Sequence, residues 1–176
     1  RMKDGQQAIY YITGEEIEAL RRSPQLEGFA ARGIEVLLLT DPIDEFWIPT
    51  VGPYEEKEFK SATRAGADLG DVPLTGDAAK TDDEAEAADA GRINSLIALF
   101  KLTLDDEVKD VRTSERLTDS AACLVADDGD LDIHMERLLK QHRQLDTSSK
   151  RILEINPKHA LIRTLAEAVG KDGTND

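Results

Sequence analysis

Apolar positions along this chain fall into short dense runs and into stripes at helical spacing, and the two kinds alternate. Ile9, Tyr10, Tyr11 and Ile12 are β-branched or aromatic neighbours and predict a strand. Thr13-Gly14-Glu15-Glu16 has capping-box spacing and predicts a helix start. Ser23-Pro24 interrupts that helix and starts another, which Gly33 stops. Val36, Leu37, Leu38 and Leu39 then form a continuous apolar run, bounded by Gly33 and by Thr40-Asp41-Pro42. So short a run between turn signals predicts a strand buried on both faces. Asp41 can cap the helix that follows, with Pro42 at its first position. Strand, helix, strand makes a parallel crossover unit. Phe46-Trp47-Ile48 leads into a loop marked by Pro49, Gly52 and Pro53, and Glu58-Phe59-Lys60-Ser61 reads as a short edge strand.

Residues 62–81, rich in Gly, Ala, Asp and Thr, read as a poorly ordered boundary. The acidic, alanine-rich stretch 82–90 suits a first helical turn. Ile93, Leu96, Ile97, Leu99 and Phe100 give that helix an apolar face reaching about Leu104. A second α+β region follows. Residues 108–117 and 123–125 predict two strands with Thr118-Asp119-Ser120 as the turn between them. Residues 131–141 predict a helix. Residues 151–155 predict a third strand, stopped by Asn156-Pro157, and 159–169 a last helix ended by Gly170. The expected fold is a small α/β/α unit with a short parallel sheet, then a separate α+β domain with a three-stranded sheet and helices. The expected divisions are 1–72, a linker and connecting helix at 73–104, and 105–176.

Composition narrows the function classes. The formal net charge is -14, which repels phosphate and disfavours nucleic acid or an anionic membrane as partner. The single cysteine, Cys123, allows no intrachain disulfide and no thiolate zinc site. No apolar stretch reaches the roughly 18 residues of a membrane span, and the polar opening is not a signal peptide. Arg1-Met2-Lys3-Asp4-Gly5 reads as the interior of a longer polypeptide.

Four stretches carry a resemblance, in order along nearly the whole chain. They are Ile9 with the residues to Thr13, the run GIEVLLLTDPIDEF beginning at Gly33, Val108-Lys109-Asp110-Val111-Arg112 with Glu115-Arg116-Leu117-Thr118-Asp119-Ser120, and Leu153-Glu154-Ile155-Asn156-Pro157-Lys158-His159. The chain resembles the ninety-kilodalton heat-shock protein chaperones, in particular their bacterial form. The resemblance implies the end of the family's middle domain (1–72) joined to the proximal part of its C-terminal dimerisation domain (105–176). It also implies a cytoplasmic, ATP-dependent chaperone that is a homodimer when whole and binds unfolded or partly folded client proteins. The family's ATP and Mg site, its phosphate-contacting arginine and its terminal dimer helices match nothing in this chain. No cofactor, metal or catalytic residue is therefore expected within it, and alone it is expected to be monomeric or weakly associating.

The strongest candidate site is the 131–141 helix. Leu131, Met135, Leu138 and Leu139 stand at i, i+4, i+7 and i+8, one apolar stripe. Such stripes usually pack inward. In bacterial members of the family this helix offers its apolar face to clients, and a flexible thioether suits varied partners. Asp128, Asp130 and Asp132 support the helix start, with Lys140, His142 and Arg143 at its other end. Phe46 and Trp47 form the second candidate, one expected in the core and one as an exposed anchor. Phe46 matches a client-contact aromatic of the family's middle domain.

Other chemistry reads more weakly. The acid run 127–132 fails the calcium-loop template, with Ile133 where glycine is required and Leu139 where the last glutamate should be. His134 and His142 lack a third zinc ligand, and Cys123 reads as an inert buried thiol. Asp41 and Asp44 follow a parallel strand, where α/β enzymes place active groups. A stand-alone enzyme with a carboxylate site there, or a purely structural dimerisation module, is the alternative reading.

Overall fold

The first apolar run forms strand β1 (Ala8–Thr13), the centre of a three-stranded sheet. Strands β2 (Val36–Leu39) and β3 (Glu58–Ser61) flank it and run parallel to it, Tyr11 pairing with both Leu37 and Ser61. The computed structural model describes residues 2–67, 69, 72–75 and 86–172. The crossover from β1 to β2 carries helices α1 (Ile17–Arg21) and α2 (Glu27–Ala31), joined by a 3-10 turn at Pro24–Leu26. Gly33 closes α2 at φ 65°. Its N–H donates to Ala30 O, and that of Ile34 donates to Phe29 O. This Schellman closure needs a left-handed residue, which glycine supplies without strain. Ala8, Tyr10 and Ile12 pack with Leu20, Phe29 and Ile34 as the first core.

Several local expectations are corrected here. Thr13 is the last residue of β1 and caps nothing; α1 begins at Ile17 behind Glu16, with no side-chain capping bond. β2 is covered on one face only. Leu37 pairs with Tyr11, on the side of the sheet away from α1 and α2, and is 45% exposed. Asp41 does accept the Ile43 N–H at 3.1 Å, but helix α3 (Asp44–Trp47) is one turn before a 3-10 turn at Ile48–Thr50. In the expected loose stretch 62–81, Ala62, Leu69 and Val72 are core residues; residues 76–81 of that stretch lie outside the described residues.

The second half opens with helix α4 (Glu86–Thr103), and the earlier part of its expected first turn lies outside the described residues. Strands β4 (Val108–Thr113) and β5 (Ala122–Val125), helix α5 (Ile133–Gln141), strand β6 (Arg151–Ile155) and helix α6 (Ala160–Asp172) follow. β4 and β5, the two strands expected on either side of the 118–120 turn, do not pair with each other. β6 lies between them, parallel to β4 and antiparallel to β5. The reason is burial: Ile155 joins the core formed with α4 and α6, while Ile152 joins the core of Leu117, Cys123 and Val125. A strand apolar on both faces takes the centre. Gly170 does not end α6, which packs along α4 and continues to Asp172. Leu99, expected on the buried face of α4, is 44% exposed. The fold is mixed α/β, a parallel three-stranded sheet followed by a mixed three-stranded sheet, each with helices.

Buried polar contacts join the two halves. Ala126 exchanges backbone hydrogen bonds with Thr63 and Ala65. Arg116, buried, pairs with Glu154 at 3.0 Å and donates to the carbonyls of Ala62 and Arg64. Gly28 sits so close to this joint that a Cβ there would lie 2.6 Å from Arg116 Cα. The Glu27 carboxylate accepts the N–H groups of Thr118, Asp119 and Ser120 and the Ser120 hydroxyl. Burial pushes the Glu27 carboxyl up, but these bonds outweigh it and hold it below the usual carboxylate range.

A pH dependence follows from that shift. A carboxyl lowered in the folded state stabilises above its unfolded value, about 4.3, and loses that contribution as pH falls through the folded value. Urea midpoints from pH 7 to 3 check this. Glu27→Gln is expected to be less stable than the parent at pH 7, and the two should converge in acid. A constant gap across that range rules out the ionised carboxylate as the source.

Candidate functional site

Helix α5 is held by acid groups on its inward edge. Asp132 is its N-cap and receives the His134 N–H. Its other oxygen accepts the hydroxyls of Ser61 at 2.6 Å and Thr63 at 2.7 Å. One turn on, Glu136 is buried and accepts from the Arg151 guanidinium at 2.6 Å and from Ser149 N–H. Arg151 also donates to Leu131 O. Residues four apart share one helix face, so the buried edge of α5 is Asp132 and Glu136.

The predicted stripe lies elsewhere. The helix expected from 131 starts at Ile133, so Leu131 precedes the Asp132 cap, outside the helix, and is 39% exposed, while Met135, Leu138 and Leu139 are on α5 and half-buried. None of the four belongs to, or packs against, any of the three cores. The usual inward reading of an amphipathic stripe fails here because two carboxylates and their partners, the Ser61 and Thr63 hydroxyls and the Arg151 guanidinium, occupy the inward side.

Phe46 and Trp47 are both exposed, at 50% and 40%; the expectation of one core aromatic is corrected, since Ile48 takes the buried position. Trp47 donates from its indole to Asp44 Oδ1 at 2.7 Å and meets Phe59 edge-on, centroids 6.5 Å apart. Between the two aromatics and Asp44, Glu45 turns inward. Its Oε1 lies 2.7 Å from His134 Nδ1, with side chains 5% and 12% exposed. The two candidate patches thus flank one buried contact: Phe46 and Trp47 adjoin Glu45, and Met135 adjoins His134.

Glu45, His134, Ser61, Thr63 and Asp132 were not singled out from sequence as a group. The available signal was a histidine and an aspartate at a helix start together with a glutamate before two aromatics, and no spacing rule connects them. Nearby, burial and then the Asp132 charge push the Tyr11 phenol up to about 12, with Arg64 opposing and Glu45 adding. Burial likewise pushes the Cys123 thiol up to about 12, which makes it a poor nucleophile.

The alternative sites gather less. Asp41 and Asp44 spend their oxygens on Ile43, the Asp41 N–H and Trp47. A cavity of about 460 Å³ does lie at the carboxyl end of β1, between the β1–α1 loop and α5, but neither aspartate lines it. Asp127 and Asp130 pair with Lys109, and Asp128 receives Gly66 N–H. Among the described residues no three His, Cys, Asp or Glu side chains converge to hold a metal ion. No helix of the described residues is long and apolar enough to cross a membrane.

The family described as Hsp90 protein matches residues 1–176. Chaperone protein HtpG of Paramagnetospirillum magneticum is 55% identical over 175 residues, which cover 99% of this chain and 28% of that protein. The proteins of the same name from Roseobacter denitrificans and Rhodospirillum rubrum are each 50% identical, over 100% of this chain and 28% of theirs. The chain therefore spans little more than a quarter of the length of these relatives.

Proposed function

The chain belongs to the Hsp90 family, and from that premise we propose that it carries client contacts and inter-domain coupling for an ATP-driven, cytoplasmic chaperone. Residues 1–72 would be the end of a middle domain, 73–104 a connecting segment, and 105–176 the proximal part of a C-terminal dimerisation domain. ATP and magnesium would act elsewhere in the longer homodimeric protein, and this part would not be an enzyme. Leu131, Met135, Leu138, Leu139, Phe46 and Trp47 would form the client face. Unfolded or partly folded proteins are the partners such a face suits, since apolar anchors grip varied sequences where directional polar contacts would not.

One observation carries this reading: α5 is fixed by buried charges on one edge while its apolar stripe stays out of every core. The test is Met135→Glu with Leu139→Glu, read by fluorescence anisotropy of labelled, reduced and carboxymethylated α-lactalbumin. Affinity is expected to fall at least tenfold, with the unfolding free energy from urea titration unchanged within about 0.5 kcal/mol. Unfolding would show that the stripe is core. Light scattering alongside separates the dimerisation reading, which expects the parent to be a dimer and the variant a monomer.

A further inference from the structure

The contacts around α5 form a closed circuit. Trp47 packs edge-on against Phe59 of β3. Two residues on, the Ser61 hydroxyl donates to Asp132, the cap of α5. Two residues further, His134 pairs with Glu45, which lies two residues before Trp47. α3, β3 and α5 are thus tied to one another, and the two ties to α5, Ser61–Asp132 and Glu45–His134, are buried. Glu45 is the buried member of α3, and its side chain points away from the faces of Phe46 and Trp47.

We propose that Glu45 and His134 are positioning residues for the client face, fixing the α3 aromatics relative to the α5 stripe so that both meet one bound segment. The proposal rests on the client-face reading above. The physical argument is that one-turn helix α3 cannot hold its own orientation. A helix this short is unstable in isolation, and its exposed aromatics bury little. A buried carboxyl hydrogen-bonded to an imidazole sets that orientation, because moving α3 breaks this contact and leaves the His134 ring nitrogen without its partner. Apolar anchors bind tightly only when held in place beforehand, since ordering them on binding costs affinity.

The chain has a single tryptophan, so intrinsic emission reports α3 directly. The experiment uses the full chain, the same labelled α-lactalbumin probe, and the variants His134→Ala, Glu45→Ala and His134→Gln. His134→Ala and Glu45→Ala are expected to weaken binding about tenfold and to shift Trp47 emission to the red. His134→Gln, whose amide can still donate to Glu45, is expected to restore both to within about threefold. A purely structural role would lower stability without that paired recovery of emission and affinity.

Should a single truncation unfold the chain, the Glu45→Ala/His134→Ala pair removes both partners and strands neither. In that folded variant the same tenfold loss and red shift are expected. Parent-like affinity and emission in folded variants lacking the pair overturn the proposal, provided that the Met135/Leu139 charge variant still fails to bind. If the charge variant binds like the parent, the client-face reading itself is lost.

Discussion

Replacing Arg116 with alanine is expected to destabilise the chain by about 3–5 kcal/mol, the range for breaking a buried ion pair by removing one partner. Arg116 and Glu154 have side chains only 4% and 3% exposed and lie 3.0 Å apart. The guanidinium also satisfies two carbonyls of the other half, Ala62 O at 2.6 Å and Arg64 O at 2.7 Å. Truncation leaves those oxygens without their donor in a region that water does not reach readily, at a further cost for each. Glu154 keeps Arg112 and Ser114 as partners, so the carboxylate survives, but the bond across the joint is gone. Urea unfolding followed by far-UV circular dichroism and by Trp47 emission checks this. Two separated transitions are expected in Arg116→Ala where the parent shows one. Arg116→Met, of similar length and uncharged, separates lost packing from lost charge. If it matches the parent, the pair adds nothing beyond volume.

Phe29→Ala is expected to cost a similar amount, about 3–5 kcal/mol, by another route. Phe29 has no exposed surface and meets Tyr10 edge-on, centroids 4.8 Å apart. Alanine leaves a cavity between α2 and β1 that backbone elements cannot close, and removes an aromatic pair worth about 0.5–1.5 kcal/mol beyond area. Because α2 also delivers Glu27 to the 118–120 turn and Gly28 to the Arg116 backbone, the loss should pass into the joint. The double variant Phe29→Ala/Arg116→Ala is therefore expected to cost less than the sum of the two, the mark of coupled sites. Strict additivity, measured from urea midpoints at constant slope, would argue that the halves fold independently.

Most elements are legible along the chain because their signals are local. A β-branched or aromatic run makes β1, a glycine in the left-handed region ends α2, and an aspartate caps α5. The family resemblance is legible for the same reason, since it rests on contiguous words. What failed were the readings that needed to know what lies opposite. The strands on either side of the 118–120 turn are legible, but not that β6, apolar on both faces, takes the place between them. Gly170 looked like a stop until α4 supported α6 past it. Residues 62–67 looked loose because small and polar residues mark loops, yet their backbone pairs with Ala126 and the carbonyls of Ala62 and Arg64 receive Arg116.

The candidate surface divides the same way. Spacing alone determined that Met135, Leu138 and Leu139 share a helix face, since 3.6 residues per turn leave no other arrangement; Leu131, expected on the same helix, precedes the Asp132 cap and stands outside it. Which way that face turns was decided only by tertiary structure. Asp132 and Glu136 find buried partners in Ser61, Thr63 and Arg151, residues 15 to 71 positions away. A buried carboxylate must keep its partners, so those contacts set the roll of the helix and leave the apolar stripe outside the core. The pairing of Glu45 with His134, 89 residues apart, follows no periodicity. It exists because the fold brings a one-turn helix and a helix start to the same place.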